Sequence, residues 1–308
     1  MNEKCRSADW KMAVRITRDA SHQTYYTVRF LVDGQLKPCA YQAYAYFRWL
    51  DDHLDTQVLA ASERLAFISR QKILMEELYH GKKPASITPE ENLLVELIQC
   101  DTDHNSGLRT YIRSMMKVMA FDASRRGSLI SHRELSNYTR LLATAVTEAL
   151  HYFIGNDTPG PYDGKRYYCA AAAHITHMLR DSAEDVRAGY YNIPANYLQR
   201  HSLEPQDIHN TIFRHWVRNR VELARRYFQL GREHLSQVPN LRCRIAGYAY
   251  TMRFEQVLDT IESDGFVLRP EYEDLCQPRD MALLSTRALV QALRFRGPDK
   301  GLQAGAIQ

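Results

Sequence analysis

The sequence is poor in residues that interrupt helices. Only 14 Gly and 11 Pro are spread over 308 residues. Because short strands and their turns need more such breakers, this scarcity favours long helices and predicts an all-α fold. Apolar residues make up 45% and charged residues 25% of the chain, which is typical of a soluble globular protein that can bury a sizeable core.

Long apolar runs and closely paired cysteines are also missing. No apolar run approaches the ~18 residues of a membrane span, and the N-terminus lacks the apolar core of a signal peptide. The absence of any CxxC pair argues against a zinc ribbon or a disulfide framework, and for a reducing compartment. We therefore expect a cytoplasmic protein. The scattered cysteines are Cys5, Cys39, Cys100, Cys169, Cys243 and Cys276.

Charge of one sign is not concentrated anywhere in the chain. The net charge of +4 is small, and no long Lys/Arg block is present. This pattern gives no support for nucleic-acid binding. It is compatible with an anionic substrate, and equally with a solvated surface that carries slightly more Arg than acid.

Helical periodicity dominates from Tyr41 onward, whereas residues 1–38 are mixed in character. Thr88, Pro89 and Glu91 predict a helix start with a capping box. The loop at 156–161 could link two domains, but we expect one domain over residues 1–296 and a flexible tail over 297–308. The predicted helices cover residues 41–56, 59–79, 89–119, 132–154, 165–187, 206–236, 241–263 and 281–295.

The first acidic motif lies in the earliest of these helices. Tyr44, Arg48, Asp51 and Asp55 fall within about 60° of one another on an ideal helix. Large apolar neighbours surround this stripe, so the carboxylates are expected to be partly buried. Buried carboxylates repel each other unless a cation lies between them.

A second acidic motif follows more than a hundred residues later. His174, His177, Asp181 and Asp185 share a face spread over roughly 80°. The preceding run of small residues, 169–173, should let another helix or a substrate chain approach closely.

Two such stripes together are more informative than one. A lone DxxxD is usually a solvated helix face. Here an Arg precedes the aspartates of each motif, and both motifs lie in apolar sequence. Carboxylate oxygens suit Mg²⁺, with Mn²⁺ as an alternative, so we expect Asp51, Asp55, Asp181 and Asp185 to bind metal. Facing stripes would hold a diphosphate between the metals, with Arg48 and Arg180 neutralising its remaining charge.

The two motifs resemble those of the squalene/phytoene synthase family. The run of Tyr44, Arg48 and Asp51–Asp55 is similar to its first motif. The run from Arg180 and Asp181 through Asp185 and Gly189 to Pro194 is similar to its second, and weaker similarity extends over about residues 18–270.

The resemblance implies an α-helical isoprenoid-synthase fold around a central cavity. It also implies ionisation of an allylic isoprenyl diphosphate, followed by head-to-head condensation with a second prenyl diphosphate. Tyr44, Arg48, His174, His177 and Arg180 would then be catalytic. Substrate would contact Arg48, Tyr138, Arg180 and Phe254. Prenyl chain length, the use of NADPH and the oligomeric state stay open, and membrane contact is expected to be peripheral at most.

Three of the predicted site residues depart from the family pattern, as does the central stretch 143–147. His174 and His177 stand where the family usually has Gln and Asn, and Phe254 stands where it has Tyr. The histidines could bind metal, donate to diphosphate or act as a base, or they could be hydrogen-bonded core residues. We expect a role in diphosphate handling.

These departures keep two further functions open. The cation could alkylate an aromatic small molecule, or cyclise, instead of attacking a second prenyl diphosphate. The chain could also be a non-catalytic assembly protein that retains the fold. The presence of all four aspartates argues against this last function.

Overall fold

A computed structural model shows that the chain is helical. Thirteen α-helices make up most of the described part, so the all-α prediction is confirmed. The only β feature there is an isolated bridge between Ile130 and Pro194. The structure describes residues 3–56, 59–82, 84, 86–101, 107–156, 158, 160–272 and 278–295.

The helices are numbered in chain order, and two short 3-10 helices, Gly34–Leu36 and Gly164–Tyr167, precede α3 and α8. The α-helices are α1 (Glu3–Ala20), α2 (His22–Phe30), α3 (Lys37–Asp55), α4 (Ala61–Tyr79), α5 (Pro89–Gln99), α6 (Gly107–Arg125), α7 (His132–Phe153), α8 (Tyr168–Arg180), α9 (Ser182–Ala188), α10 (Ala195–His201), α11 (Thr211–Leu235), α12 (Leu241–Ser263) and α13 (Pro278–Ala292).

The first forty residues are more regular than their mixed pattern predicts. They form α1 and α2, with Ser21 capping α2 by accepting a hydrogen bond from the Thr24 amide. Trp10 packs edge-on against Tyr41 of α3, with 5.2 Å between ring centroids. Contact with α3 therefore stabilises a helix whose own sequence pattern is weak.

Two of the predicted long helices are interrupted. The range 89–119 contains α5, which starts with the predicted Thr88–Glu91 capping box, and then α6. The helix predicted over residues 165–187 is interrupted at Asp181, which lies between α8 and α9. Ser182 donates its hydroxyl hydrogen bond back to the Met178 carbonyl, a contact that bends helices. The short helix α10 was not predicted.

Contacts divide the chain into two compact units, the first formed by Met1–Arg126 and Thr144–Ile154. Helix α3 is central to this unit and packs against α1, α5 and α6. Its buried face includes Tyr46, Leu50 and Leu54. The first acidic motif therefore lies on a helix that the unit's core holds in place.

The second unit comprises Gly127–Ala143 and Gly155–Gln308. In it α8 packs against α11 and α12. A Cβ atom on Gly231 of α11 would lie 2.4 Å from the Cys169 sulfur, so only glycine allows this approach. The expectation that small residues near 169–173 admit a neighbouring helix is thus met by α11. The single domain over residues 1–296 remains a prediction.

The cysteines differ from expectation at one pair. Cys39 and Cys100 form a disulfide, so the prediction that argued against a disulfide framework is wrong for this pair. They lie 61 residues apart on segments that pack together, and no local spacing reveals such a pair. Cys169 and Cys243 are buried, and neither forms a disulfide with another described residue.

The C-terminal helix α13 packs against α12. Leu284, Ala288 and Ala292 are buried, and the Arg244 guanidinium donates a hydrogen bond to the Ala292 carbonyl. Within the described residues, no helix has the length and apolar character needed to cross a membrane. The predicted tail at 297–308 lies outside the described residues.

Candidate active site

The exposed side of α3 carries the first acidic motif. Tyr44, Arg48 and Asp51 are partly buried, and Asp55, the last residue of the helix, is exposed. Burial raises the pKa of Tyr44, although the nearby Arg48 and a hydrogen bond with Ser21 oppose the increase. The phenol is therefore held protonated, beside the guanidinium.

Arg48 contacts a carboxylate other than the two predicted to bind metal. Its guanidinium lies 2.6 Å from Asp52 and 3.8 Å from Asp51. Both pairs follow from i,i+4 and i,i+3 spacing on the helix. Asp51 is consequently only weakly neutralised by the arginine of its own motif.

Asp51 has the most unusual ionisation in this region. Partial burial, followed by repulsion from Asp55, raises its pKa to about 7, against a smaller opposing effect of Arg48. Asp122 of α6 adds to the repulsion. The ionised carboxylate thus lacks sufficient positive charge around it. We call Tyr44, Arg48, Asp51, Asp55 and Asp122 the first-motif cluster.

The second acidic motif begins near the end of α8. Burial disfavours ionised Asp181, but hydrogen bonds from His177 and Arg180 outweigh burial and lower its pKa well below the usual range. The His177 Nε2 atom lies 2.9 Å from the carboxylate. The Arg180 guanidinium donates two bonds, of 2.6 and 2.9 Å. Asp181 is therefore ionised and firmly oriented.

Asp185 is held by the segment that follows α9. The Asn192 side-chain amide donates a 2.7 Å hydrogen bond to its carboxylate. The chain can turn back because Gly189 adopts a left-handed conformation, with φ of 86°. The Tyr190 amide then donates to the Asp185 carbonyl over 2.7 Å. Gly189 in the second motif thus positions a partner for Asp185.

Aromatic rings surround the two histidines. His174 is buried and meets Tyr138 of α7 edge-on, with ring centroids 4.9 Å apart. The exposed His177 ring lies 6.2 Å from the ring of Phe254 on α12. We call the following residues the second-motif cluster: Tyr138, His174, His177, Arg180, Asp181, Asp185, Asn192 and Phe254.

The structure brings the predicted site residues together within each unit. Tyr44, Arg48, Asp51 and Asp55 share one part of the first unit. The remaining predicted residues share one part of the second unit.

Sequence reasoning did not assign Asp122, Asn192 or Asp52 to the site. Asp122 is a carboxylate at the end of a largely apolar stretch of α6, and this contrast is the sequence signal that could have identified it as a site residue. Asn192 lies inside the second motif itself.

Asp51 and Asp55 are candidate ligands for a divalent metal. Within the described residues, no three His, Cys, Asp or Glu side chains form a metal-binding group by themselves. Mg²⁺ in phosphate-handling sites commonly takes one or two carboxylates, with phosphate oxygens and waters completing its shell. Asp51 and Asp55 supply such a pair, and the raised pKa of Asp51 marks a deficit of positive charge. The donor set therefore fits the metal.

Comparison with known proteins identifies the family. The model of the family described as squalene/phytoene synthase matches residues 17–279, which is most of the chain. The chain belongs to the squalene/phytoene synthase family. This family comprises enzymes of the prenyltransferase type that act on isoprenyl diphosphates.

Two phytoene synthases are among its relatives. The chain is 22% identical to the chloroplastic phytoene synthase of an Oncidium hybrid cultivar over 253 residues, which cover 79% of the chain and 59% of that enzyme. It is 22% identical to the 15-cis-phytoene synthase of Synechococcus elongatus over 275 residues, which cover 82% of the chain and 86% of that enzyme. The chain thus spans about three fifths of the length of the first relative.

Solved structures share the fold. A squalene synthase from Alicyclobacillus acidocaldarius superposes with a TM-score of 0.67 and 19% identity, covering 87% of this chain and 98% of that one. A dehydrosqualene synthase in complex with a ligand gives 0.69 and 14% identity, covering 92% and 96%. At these identities the likeness establishes the all-α squalene synthase fold.

Proposed function

We propose that this chain is a divalent-metal-dependent prenyltransferase that condenses two isoprenyl diphosphates head-to-head. The observation that supports this most is the arrangement of Asp181, which is kept ionised by Arg180 and His177 in the motif that most resembles the family's. The names of the phytoene synthase relatives agree with the proposal.

In this proposal the aspartates bind the metal and the arginines bind phosphate. Asp51, Asp55, Asp181 and Asp185 would hold cations, and Arg48 and Arg180 would donate to phosphate oxygens. When bound, the divalent cation neutralises charge on the departing diphosphate. The arginines orient the leaving group, so that breaking the allylic C–O bond leaves the electron pair on diphosphate and a cation on the prenyl chain.

The aromatic residues contact the hydrocarbon part in this proposal. Tyr44, Tyr138 and Phe254 offer π-faces that stabilise an allylic cation. His177 carries its hydrogen bond to Asp181 on Nε2, and we assign it to diphosphate handling beside Arg180. His174, edge-on to Tyr138, fixes the position of that ring.

The test is incubation of the full chain with labelled prenyl diphosphates of ten, fifteen and twenty carbons, with Mg²⁺ or Mn²⁺. Diphosphate release and product mass are measured together. Head-to-head activity gives a product that contains two prenyl chains. Asp51→Asn and Asp181→Asn should each slow release by at least about 100-fold, since each removes a carboxylate that would hold the cation stabilising the leaving group.

A matched variant separates this effect from a general change in charge. Asp19→Asn alters an exposed carboxylate of α1 outside both clusters, so its turnover should equal that of the wild type. Unchanged turnover in both cluster variants would refute the assignment of the site. Failure of the wild type to release diphosphate from every substrate would support the non-catalytic assembly function instead.

A second candidate function is alkylation of an aromatic small molecule by the same cation. It is favoured by His174, His177 and Phe254, which depart from the family pattern and lie in the second-motif cluster with Tyr138 and Asp181. A product with one prenyl group attached to an aromatic acceptor would establish it. The double variant His174→Gln and His177→Asn should then shift products toward coupling of two prenyl chains.

A further inference from the structure

A concave site lies within the second unit. It encloses about 300 Å³ between the start of α7, helix α10 and one face of α11. None of the residues of the second-motif cluster lines it. The volume is that of a pocket for a small molecule.

The walls of this pocket are basic. Arg200 of α10 and both Arg220 and Arg226 of α11 line it. On α11 the lining residues, which include Trp216 and Asn219, follow the three- and four-residue spacing of one helix face. No Asp or Glu is present among the described residues that line it.

None of the three arginines forms an ion pair with another described residue. Other arginines of α11 do have such partners: Arg218 pairs with Glu222, and Arg225 pairs with Asp259 and Glu262. The arginines of the pocket therefore differ from those on the other faces of the same helix, where acids neutralise them.

Arg220 is the least exposed of the three. Burial lowers the pKa of its guanidinium, and the nearby Tyr227 only partly offsets this effect. A partly buried cation without a carboxylate destabilises the fold unless some other anion approaches it. The protein itself supplies none among the lining residues.

We propose that this pocket binds a phosphorylated small molecule through Arg200, Arg220 and Arg226. The planar guanidinium group of arginine matches the geometry of phosphate oxygens. Three such cations neutralise a doubly charged phosphate better than they match a singly charged carboxylate. Trp216 and Tyr197 offer aromatic walls, so the rest of the ligand is apolar or aromatic. The site needs neither the metal nor the aspartates of the proposed reaction.

The experiment is calorimetric titration of the full chain in EDTA, which keeps the metal-dependent site from contributing. Three probes are compared: phenyl phosphate, inorganic phosphate and benzyl alcohol. We expect phenyl phosphate to bind most tightly, inorganic phosphate more weakly, and benzyl alcohol not at all. Arg220→Met should weaken phenyl phosphate binding at least about tenfold, the effect of losing a charge-assisted hydrogen bond.

Matched variants locate the effect. Arg218→Met removes a neighbouring arginine of α11 that already has Glu222 as partner, and should leave the affinity unchanged. Arg180→Met alters the second-motif cluster and should also leave it unchanged. Arg200→Met, on α10, should show the same loss of affinity and tests the pocket independently of Arg220→Met. Thermal unfolding followed by circular dichroism checks that both variants are folded.

Several results would overturn the proposal. Absence of phenyl phosphate binding to the wild type would do so, as would an affinity equal to that of the wild type in both Arg220→Met and Arg200→Met. A loss in Arg180→Met would assign the phosphate to the second-motif cluster instead. Retention on phosphatidic acid vesicles that disappears in Arg220→Met would assign the pocket to a lipid head group.

Discussion

His234 shows how the surroundings of one side chain set a response to pH. Its side chain is only 1% exposed, and its Nδ1 atom lies 3.1 Å from Asp163. Burial lowers its pKa below the ordinary value of 6.5, against the opposing effect of Asp163. Below pH 6.5 the unfolded chain therefore takes up a proton more readily than the folded one.

The free energy of unfolding should therefore decrease as pH falls below about 6.5. The stabilising contribution of neutral His234 is fully present above that pH. His234→Gln should flatten the dependence between pH 7 and 5, measured by urea unfolding. His209→Gln, at an exposed position, is the control and should follow the wild type. A steeper dependence in His234→Gln would contradict the sign of this effect.

Asp51 and Asp52 are neighbours with different partners, and they should respond differently to the same substitution. Asp52 forms the close ion pair with Arg48, whereas Asp51 faces Asp55 and Asp122. Asp52→Asn should reduce kcat/KM about tenfold or less, because it removes only the ion pair that orients Arg48. Asp51→Asn should reduce it far more. Equal losses of kcat/KM in the two variants, measured by steady-state kinetics, would argue against separate roles for Asp51 and Asp52.

At the scale of residues, helical spacing predicts which side chains share a stripe, and it predicted the neighbours of Asp51 and Asp181 along the chain. It does not predict contacts made by other elements. Asp122 approaches Asp51 from α6, and Asn192 reaches Asp185 only because Gly189 reverses the chain. Such contacts depend on packing and on turns, which periodicity does not describe.

Helix α8 is the element on which most of the second-motif cluster depends. Its packing against α11 requires the missing side chain of Gly231, since a Cβ there would lie 2.6 Å from the Cys169 backbone nitrogen. Gly231→Ala should lower the free energy of unfolding by about 1–3 kcal/mol through overpacking, measured by urea unfolding.

The same substitution should also reduce prenyltransferase activity, because α8 carries His177 and Arg180. Gly164→Ala is the control: a Cβ there meets no atom within 4 Å. If Gly231→Ala proves as stable as Gly164→Ala, the two helices must be able to separate without cost.

At the scale of elements, prediction succeeded where local chemistry is strong. Thr88, Pro89 and Glu91 marked the start of α5 correctly, because a capping box is a local signal. It failed for α1, whose stability comes from packing on α3, and for the break at Asp181. Contacts that form after a helix exists are not encoded in its periodicity.

At the scale of the whole chain, the disulfide between Cys39 and Cys100 closes a loop across 61 residues. Constraint of the unfolded chain by such a loop stabilises the folded protein by about 2–4 kcal/mol. Urea unfolding in the presence of a reductant should therefore give a free energy of unfolding that is lower by this amount.

The double variant Cys39→Ala and Cys100→Ala should be insensitive to the same reductant. Mass spectrometry of unreduced peptides tests the bond directly, and recovery of both cysteines as free thiols would contradict it. No spacing motif announces this pair. The sequence predicted the all-α class and, through its motifs, the family, but not which distant segments meet.

The bidentate contact between Arg180 and Asp181 has a consequence for the order of binding. A cation that bound the carboxylate of Asp181 would weaken its contact with the guanidinium, which would then be more available to phosphate. Each partner would thus favour the other, and by thermodynamic reciprocity the two affinities would rise together. Neither the metal nor the diphosphate should bind tightly alone, so the site would reject free cations and free phosphate yet accept their combination.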